Sequence, residues 1–189
     1  MFLEHKYTID DMVKRCKATE RKAQESLYKH FAAKMLGVCM RFATDRMEAE
    51  DMLQNGFIKV FQKINDYRGE GSFEGWIRRI MVHSAIEYYR KYHKMMQLAD
   101  IENESNDFSV DPLVTANLAA KDLMILIQRL SPGYRIVFNL YAIEGYSHKE
   151  IAAIAGITEG ASKSQLSRAR SVLKQQILKL EGKRYENAG

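Results

Sequence analysis

Apolar residues recur at spacings of three and four along most of the chain, which is the pattern of amphipathic α-helices. The pattern predicts a short helix that starts at Thr8, a long one from Glu20, a third over about 45–65 and a fourth over about 73–92. We find no convincing strand pattern. The sequence therefore predicts an all-α protein.

The periodic pattern stops near residue 94, where Asn, Ser and Asp accumulate, and helices resume near residue 115. Pro132 then suits the first turn of a further helix. We expect two small helical domains, residues 1–93 and 117–189, joined by a flexible linker over residues 94–116.

A helix-turn-helix is predicted after Gly145. Ser147 and Glu150 have the spacing of a capping box, in which each side chain bonds the other residue's backbone amide. Gly156 supplies the positive φ that ends a helix, and Thr158 can cap the next one. The second predicted domain thus has four helices, and its last two form a tight hairpin.

The last helix has one buried stripe and one basic, polar face. The stripe consists of Leu166, Ala169, Leu173, Ile177 and Leu180. Helical geometry turns Lys163, Ser164, Gln165 and Arg168 outward or to the flanks, and Ser162 toward the stripe. These outward residue types suit phosphates and base edges in a DNA major groove. The alternative is a solvated hairpin in an ordinary helical bundle.

Charge is unevenly distributed along the chain, whose net charge is +5. Residues 145–184 hold eight Lys or Arg against three Glu, whereas residues 99–111 hold five acids and no base. This contrast favours a nucleic-acid surface in the second domain. Two isolated cysteines, no long apolar run and no secretion signal lead us to expect a soluble, cytoplasmic protein without membrane insertion.

The third helix and the loop after it carry further candidates. Asp51, Gln54 and Asn55 give the helix an acidic, amide-rich exposed side, which alternatively only complements the helix dipole. The loop 65–72 holds two glycines and a Tyr-Arg pair that could stack on or bond a ligand. The alternative for this loop is a simple connection between two helices.

The fourth helix places Arg79, His83, Glu87 and Arg90 in one row, next to aromatic residues that include Trp76. Arginines that hold a backbone and rings that stack on bases suit single-stranded nucleic acid. Trp76 could instead be a core residue, and the row a solvated face. No second His or Cys lies at ligand spacing from His83, so we expect no metal there. We also expect no cofactor and no catalytic residue.

Four segments, in this order, resemble the extracytoplasmic-function (ECF) sigma factors of bacterial RNA polymerase: AEDMLQNGFIKVFQKI, YRGEGSFEGWIRRI, LSPGYRIVFNLYAIEGYS and HKEIAAIAGITEGASKSQLSRAR. The first two are similar to that family's region two and the last two to its region four. The resemblance implies a non-catalytic subunit that binds core RNA polymerase and promoter DNA, and it makes an anti-sigma factor an expected partner.

The resemblance also implies roles for the candidates. Core polymerase would bind Asp51, Gln54 and Asn55. A flipped base of the minus-ten element would be captured around Tyr67, Arg68 and Gly69, and the rest of that element would contact Trp76, Arg79, His83 and Arg90. The minus-thirty-five duplex would contact Lys163, Ser164, Gln165 and Arg168.

Four positions depart from the family's pattern. A single tryptophan follows Gly75 where primary sigma factors have two, Asn55 stands where an acid is frequent, and Gln165 stands where Arg is frequent. Ser162 also replaces a usual core Val. Two alternatives stay open at this point: a helix-turn-helix regulator with a ligand-sensing first domain, and a site-specific recombinase with a helix-turn-helix tail.

Overall fold

A computed structural model describes the backbone of residues 8–98 and 120–186 and the side chains of residues 8–91 and 122–180. Within these ranges every regular element is helical, which confirms the all-α prediction. The α-helices are α1 Ile9–Lys17, α2 Arg21–Met40, α3 Arg46–Lys63, α4 Phe73–Leu98, α5 Ala120–Gln128, α6 Pro132–Phe138, α7 His148–Ala155 and α8 Glu159–Glu186. A 3-10 turn follows α3 at Ile64–Asp66, and a π-helical turn follows α6 at Asn139–Ile143.

The chain divides into two compact units, Met1–Ala85 and Ile86–Gly189. The division falls inside α4, whose backbone stays helical to Leu98, several residues beyond the end that the apolar pattern predicts. Most of the predicted linker, residues 99–116, lies outside the described residues. The domain bounds 1–93 and 117–189 therefore stay a prediction.

The first unit is built around the buried stripe of α2, which the spacing predicts. The stripe and the residue after the helix consist of Ala23, Leu27, Phe31, Met35, Val38 and Phe42, all buried. Helix α1 begins where Thr8 Oγ accepts a hydrogen bond from the Asp11 backbone amide at 3.2 Å. Met12, Val13 and Cys16 bury the inner face of α1, whereas Ile9, in the first turn at the end of that face, is 38% exposed.

Helix α3 begins with a side-chain cap but without a complete capping box. Asp45 accepts a hydrogen bond from the Glu48 amide at 2.8 Å, as expected of a cap. The Glu48 carboxylate, however, accepts from the amide and the hydroxyl of Thr44 and does not complete a capping box with Asp45. Thr44 offers two donors to one carboxylate, which explains the different partner.

Helix α4 is fixed at its start and by a close approach to α3. Ser72, the last residue of the preceding loop, caps this helix, because its Oγ accepts a hydrogen bond from the Gly75 amide at 3.1 Å. A Cβ at Gly56 would collide with the sulfur of the buried Met81. A larger residue at this position would therefore require the Met81 side chain to move.

The second unit packs α5, α6 and α7 against α8. Its core contains Leu126, Leu130, Ala169 and Leu173, with Tyr134, Phe138, Val172 and Ile177 packed against it. Leu180, which is predicted to continue the buried stripe, is 36% exposed. It lies beyond the part of α8 that packs against these core residues, so the stripe ends earlier than the spacing suggests.

Both cysteines are free and buried. Burial raises the pKa of Cys16 to about 11 and that of Cys39 to about 12. Because the thiolate is the reactive form, both thiols are inert at neutral pH.

Candidate nucleic-acid interface

The hairpin of α7 and α8 has the predicted caps. Ser147 Oγ accepts from the Glu150 amide at 3.3 Å, and the Glu150 carboxylate accepts from the Ser147 amide at 2.8 Å. Gly156 ends α7 with a φ of 72°, a conformation that favours glycine. Thr158 Oγ then accepts from the Ala161 amide at 3.1 Å. The helix-turn-helix is confirmed.

The capping box is sensitive to acid. Hydrogen bonds from the Ser147 hydroxyl and amide lower the pKa of Glu150 below its ordinary value of 4.5. A carboxylate with a lowered pKa stabilises the fold above its ordinary pKa, and that contribution is lost as the pH falls. The hairpin cap is therefore intact at neutral pH.

A polar contact joins the two helices of the hairpin within the apolar stripe of α8. Ser162 is fully buried, and its Oγ lies 2.9 Å from Nδ1 of His148, the first residue of α7. The His148 ring stacks on the Tyr141 ring, with centroids 4.5 Å apart. The Arg170 guanidinium also lies over the Tyr141 ring, 5.6 Å from its centroid. Sequence reasoning placed Ser162 inside but missed its partner. A serine in an apolar stripe was the signal, because a buried hydroxyl needs a partner.

This contact predicts an asymmetric pair of stability effects. Ser162→Ala should cost about 0.5–1.5 kcal/mol, the net contribution of one hydrogen bond. His148→Phe keeps a ring against Tyr141 but leaves a buried hydroxyl unsatisfied, which should cost about 1–3 kcal/mol. The double variant, Ser162→Ala with His148→Phe, should be more stable than His148→Phe alone, because it has no buried hydroxyl without a partner. Urea unfolding followed by circular dichroism measures all three, and a double variant less stable than His148→Phe would contradict the contact.

The outer face of α8 carries the predicted polar residues near its first turns. Lys163, Ser164 and Arg168 are exposed and Gln165 is half-buried. Lys163 Nζ pairs with Glu159 at 2.7 Å, an exposed pair one helical turn apart, which DNA phosphates can replace at low cost because exposed ion pairs contribute little. The face can thus present donors and positive charge to a DNA groove.

The loop between the 3-10 turn and α4 is more strongly held than its sequence suggests. Gly69 and Gly71 have φ values of 81° and 83°, as glycines in special turns do. The Tyr67 hydroxyl donates to the Gly71 carbonyl at 2.8 Å. Its ring packs on Phe73, with centroids 4.9 Å apart, and on Trp76 at 5.6 Å. Tyr67 is therefore half-buried, while Arg68, Gly69 and Glu70 form an exposed tip.

The row on α4 keeps its predicted face. Arg79 and Arg90 are exposed, and His83 is half-buried. Trp76 is half-buried and stacks on Phe73, with centroids 5.5 Å apart and rings inclined by 19°. Trp76 thus packs against the core on one side and remains partly accessible to a ligand on the other.

A stripe on α3, here called the α3 stripe, contains Met47, Asp51, Gln54 and Ile58, all exposed. At about 100° per residue these four positions fall within roughly 60° of one another. Asn55 lies beside them and donates from Nδ2 to the Asp51 carbonyl at 3.0 Å. Met47 is 73% and Ile58 is 54% exposed, and sequence reasoning missed both. Both residues lie outside the buried apolar stripe of α3, and this spacing could have predicted their exposure.

Two searches over the described residues are negative. No helix there is long and apolar enough to cross a membrane. In the same part of the chain, no group of three or more His, Cys, Asp or Glu residues could hold a metal ion.

Comparison with known proteins identifies the two parts of the chain. Residues 27–95 match the family described as Sigma-70 region 2, and residues 121–173 match Sigma-70, region 4. These matches contain the α3 stripe, the loop, the α4 row and the helix-turn-helix. Together they cover more than half of the chain.

Relatives match over most of the chain. The RNA polymerase sigma-H factor of Pseudomonas aeruginosa is 25% identical over 86% of this chain and 90% of its own length. The ECF RNA polymerase sigma factor SigE of Mycolicibacterium smegmatis is 27% identical over 87% of this chain, which spans only 65% of that relative.

Among solved structures, the sigma factor RpoE of Bartonella quintana, crystallised with the anti-sigma factor NepR, has a similar fold. The TM-score is 0.52 at 24% identity, over 82% of this chain and 96% of that one. Two family regions in the same order, with relatives named as ECF sigma factors along most of the chain, show that this protein belongs to the ECF group of the Sigma-70 family of RNA polymerase sigma factors.

Proposed function

We propose that this chain is a non-catalytic specificity subunit that binds core RNA polymerase in the cytoplasm and selects promoters through minus-ten and minus-thirty-five elements. The observation that carries the proposal is the presence of sigma regions 2 and 4, in that order, in one chain. Residues 1–93 would bind polymerase and the minus-ten element, residues 94–116 would link the domains, and residues 117–189 would bind the minus-thirty-five element.

The α3 stripe is the proposed polymerase-binding surface, with Asn55 at its edge. A carboxylate and an amide stand at its centre, and one apolar side chain stands at each end. The stripe extends over about 16 Å, the rise of eleven helical residues. A partner helix with basic groups at its centre and apolar residues at both ends would complement it, as interfaces combine apolar contacts with matched charge.

The loop tip and the α4 row form the proposed minus-ten surface. Removing a base from the stack costs a few kcal/mol, so the protein must return that energy in a shaped pocket. The tip offers the Arg68 guanidinium and the backbone of Gly69, which lacks a side chain to block approach. Trp76, Arg79, His83 and Arg90 would then follow the opened strand, with rings against bases and cations against phosphates.

The start of α8 is the proposed minus-thirty-five surface. Lys163, Ser164, Gln165 and Arg168 lie where a recognition helix meets base edges and phosphates. A lysine and an arginine can hold phosphates, and the serine and glutamine are polar readers of bases. Gln165 is half-buried, so its contribution to the surface is smaller than that of the exposed three.

An anti-sigma factor is the proposed regulatory partner. RpoE of Bartonella quintana was crystallised with its anti-sigma factor NepR, and its fold is similar to this one. Such a partner would prevent transcription by covering a surface that polymerase or DNA needs.

Binding to purified core polymerase tests the proposed function. The full chain, labelled on an added carboxyl-terminal tag, should bind core with a nanomolar to micromolar Kd by fluorescence anisotropy, which corresponds to about −12 to −8 kcal/mol. A chain that binds promoter-length duplex tightly but has no measurable affinity for core would contradict the proposal.

The exposed loop tip gives a specific prediction for promoter choice. Arg68→Ala with Glu70→Ala leaves the Tyr67 packing and the Ser72 cap in place, but it removes the side chains that can bond a captured base. We expect the double variant to lose about 1–3 kcal/mol of discrimination among the four bases at the captured position of the minus-ten element. Transcription from four promoters that differ only at this position measures the loss. Lys63→Ala, an exposed charge at the end of α3, is the matched control. Unchanged discrimination in the double variant would make the loop a simple connection.

A further inference from the structure

Helix α1 reaches the promoter-reading loop through one side chain. Lys17, the last residue of α1, donates from Nζ to the Tyr67 carbonyl at 2.7 Å in a partly buried contact. The two residues are fifty positions apart in the sequence. A charge-assisted hydrogen bond to a carbonyl is among the stronger polar contacts, and partial burial protects it from water.

The donor itself is held in place. Met12, Val13 and Cys16 anchor α1 in the core of the first unit. The helix ends in a turn where Thr19 has a φ of 59°, a conformation that a β-branched residue adopts only when its surroundings enforce it. The ammonium of Lys17 is thus presented from a rigid element.

The acceptor is the residue on which the loop turns. The backbone carbonyl of Tyr67 accepts a hydrogen bond from Lys17, and the Tyr67 hydroxyl donates one to the Gly71 carbonyl. The Tyr67 ring packs against Phe73 and Trp76. Arg68 follows it directly and begins the exposed tip. Fixing both sides of Tyr67 therefore limits the positions that the tip can adopt.

We infer that Lys17 is a positioning residue for base selection in the minus-ten element: α1 holds the loop in its reading conformation through the Tyr67 carbonyl. This inference rests on the proposed function of the loop. A reading group that is already ordered loses less entropy on binding, so it discriminates better than a mobile one.

The test compares binding of the reconstituted holoenzyme, core polymerase with the full chain, to fluorescent single-stranded minus-ten oligonucleotides. Four oligonucleotides carry the four bases at the captured position, and the measured quantity is the Kd ratio between the worst and the best base. Lys17→Met keeps the length of the stem but removes the donor, and it should lower this ratio by about fivefold, the scale of one lost hydrogen bond. Lys17→Arg, which keeps a donor, should retain most of the ratio.

Controls separate positioning from charge and from stability. Lys14→Met removes an equal charge from the exposed side of α1 and should leave the ratio within about twofold of wild type. Lys17→Gln removes the charge and shortens the side chain so that it no longer reaches the Tyr67 carbonyl. It should also lower the ratio, which keeps the test decisive if Lys17→Met folds poorly. Core affinity should stay unchanged in all variants.

Two results would overturn the inference. One is an unchanged ratio in Lys17→Met, and the other is an equal fall in Lys14→Met, which would indicate a charge effect on DNA. A wild-type chain that binds core but gives a holoenzyme with no base preference would instead refute the proposed role of the loop, and the inference with it.

Discussion

Asp51→Lys combined with Gln54→Ala is expected to weaken binding to core polymerase by about 100-fold or more. Both side chains are exposed at the centre of the α3 stripe, so the substitution should leave the fold intact. A lysine there would face the basic groups that complement a carboxylate, and like charges across an interface cost several kcal/mol. Each 1.4 kcal/mol corresponds to about tenfold in affinity.

The matched control is Asp10→Lys, an equal charge reversal at an exposed position on α1. It lies in the first turn of that helix, where an acid contributes only about 0.3–1 kcal/mol to stability. Its affinity for core should remain close to that of wild type. Equal affinities of the α3 double variant and the control would exclude the α3 stripe as the polymerase-binding surface.

Lys163→Ala combined with Arg168→Ala is expected to reduce both occupancy of the minus-thirty-five element and its dependence on salt. Each phosphate contact that is lost removes about 0.9 from the slope of log K against log salt, so the double variant should lose close to two units. If Arg168 also bonds a base, its single variant should cost about 1–3 kcal/mol at one base pair only. Affinity measured by anisotropy over a range of salt concentrations separates these two roles.

Arg129→Ala is the control for the loss of salt dependence, because Arg129 is an exposed charge in the same unit but outside the hairpin. Its salt slope should match that of wild type. A double variant with an unchanged slope and unchanged transcription would show that the outer face of α8 does not contact DNA.

Local signals in the sequence were sufficient for most of the fold. The Ser147–Glu150 box, Gly156 and the caps at Thr158 and Ser72 all involve residues within four positions, and the structure contains each of them. The apolar spacing of α2 likewise predicts its buried face. Such features follow from helix geometry and backbone chemistry alone.

Contacts between distant residues were beyond the reach of the pattern. Lys17 and Tyr67 are fifty residues apart, and His148 and Ser162 are fourteen apart, so neither pair has a local spacing to reveal it. Tyr67 was expected to stack on a ligand, but its ring already packs on Phe73 and Trp76. The sequence identified the residue types at the candidate surfaces, whereas tertiary packing decides which of them are exposed to a partner.

Transcription by core polymerase with and without this chain, on a library of random promoter sequences, tests the central claim most directly. Mapping the 5′ ends should show chain-dependent starts, each preceded by one shared minus-ten and one shared minus-thirty-five sequence. The Asp51→Lys with Gln54→Ala variant should abolish these starts, and the Lys163→Ala with Arg168→Ala variant should weaken the preference for the upstream sequence. Identical start sites with and without the chain, although core and DNA are both active, would contradict the account.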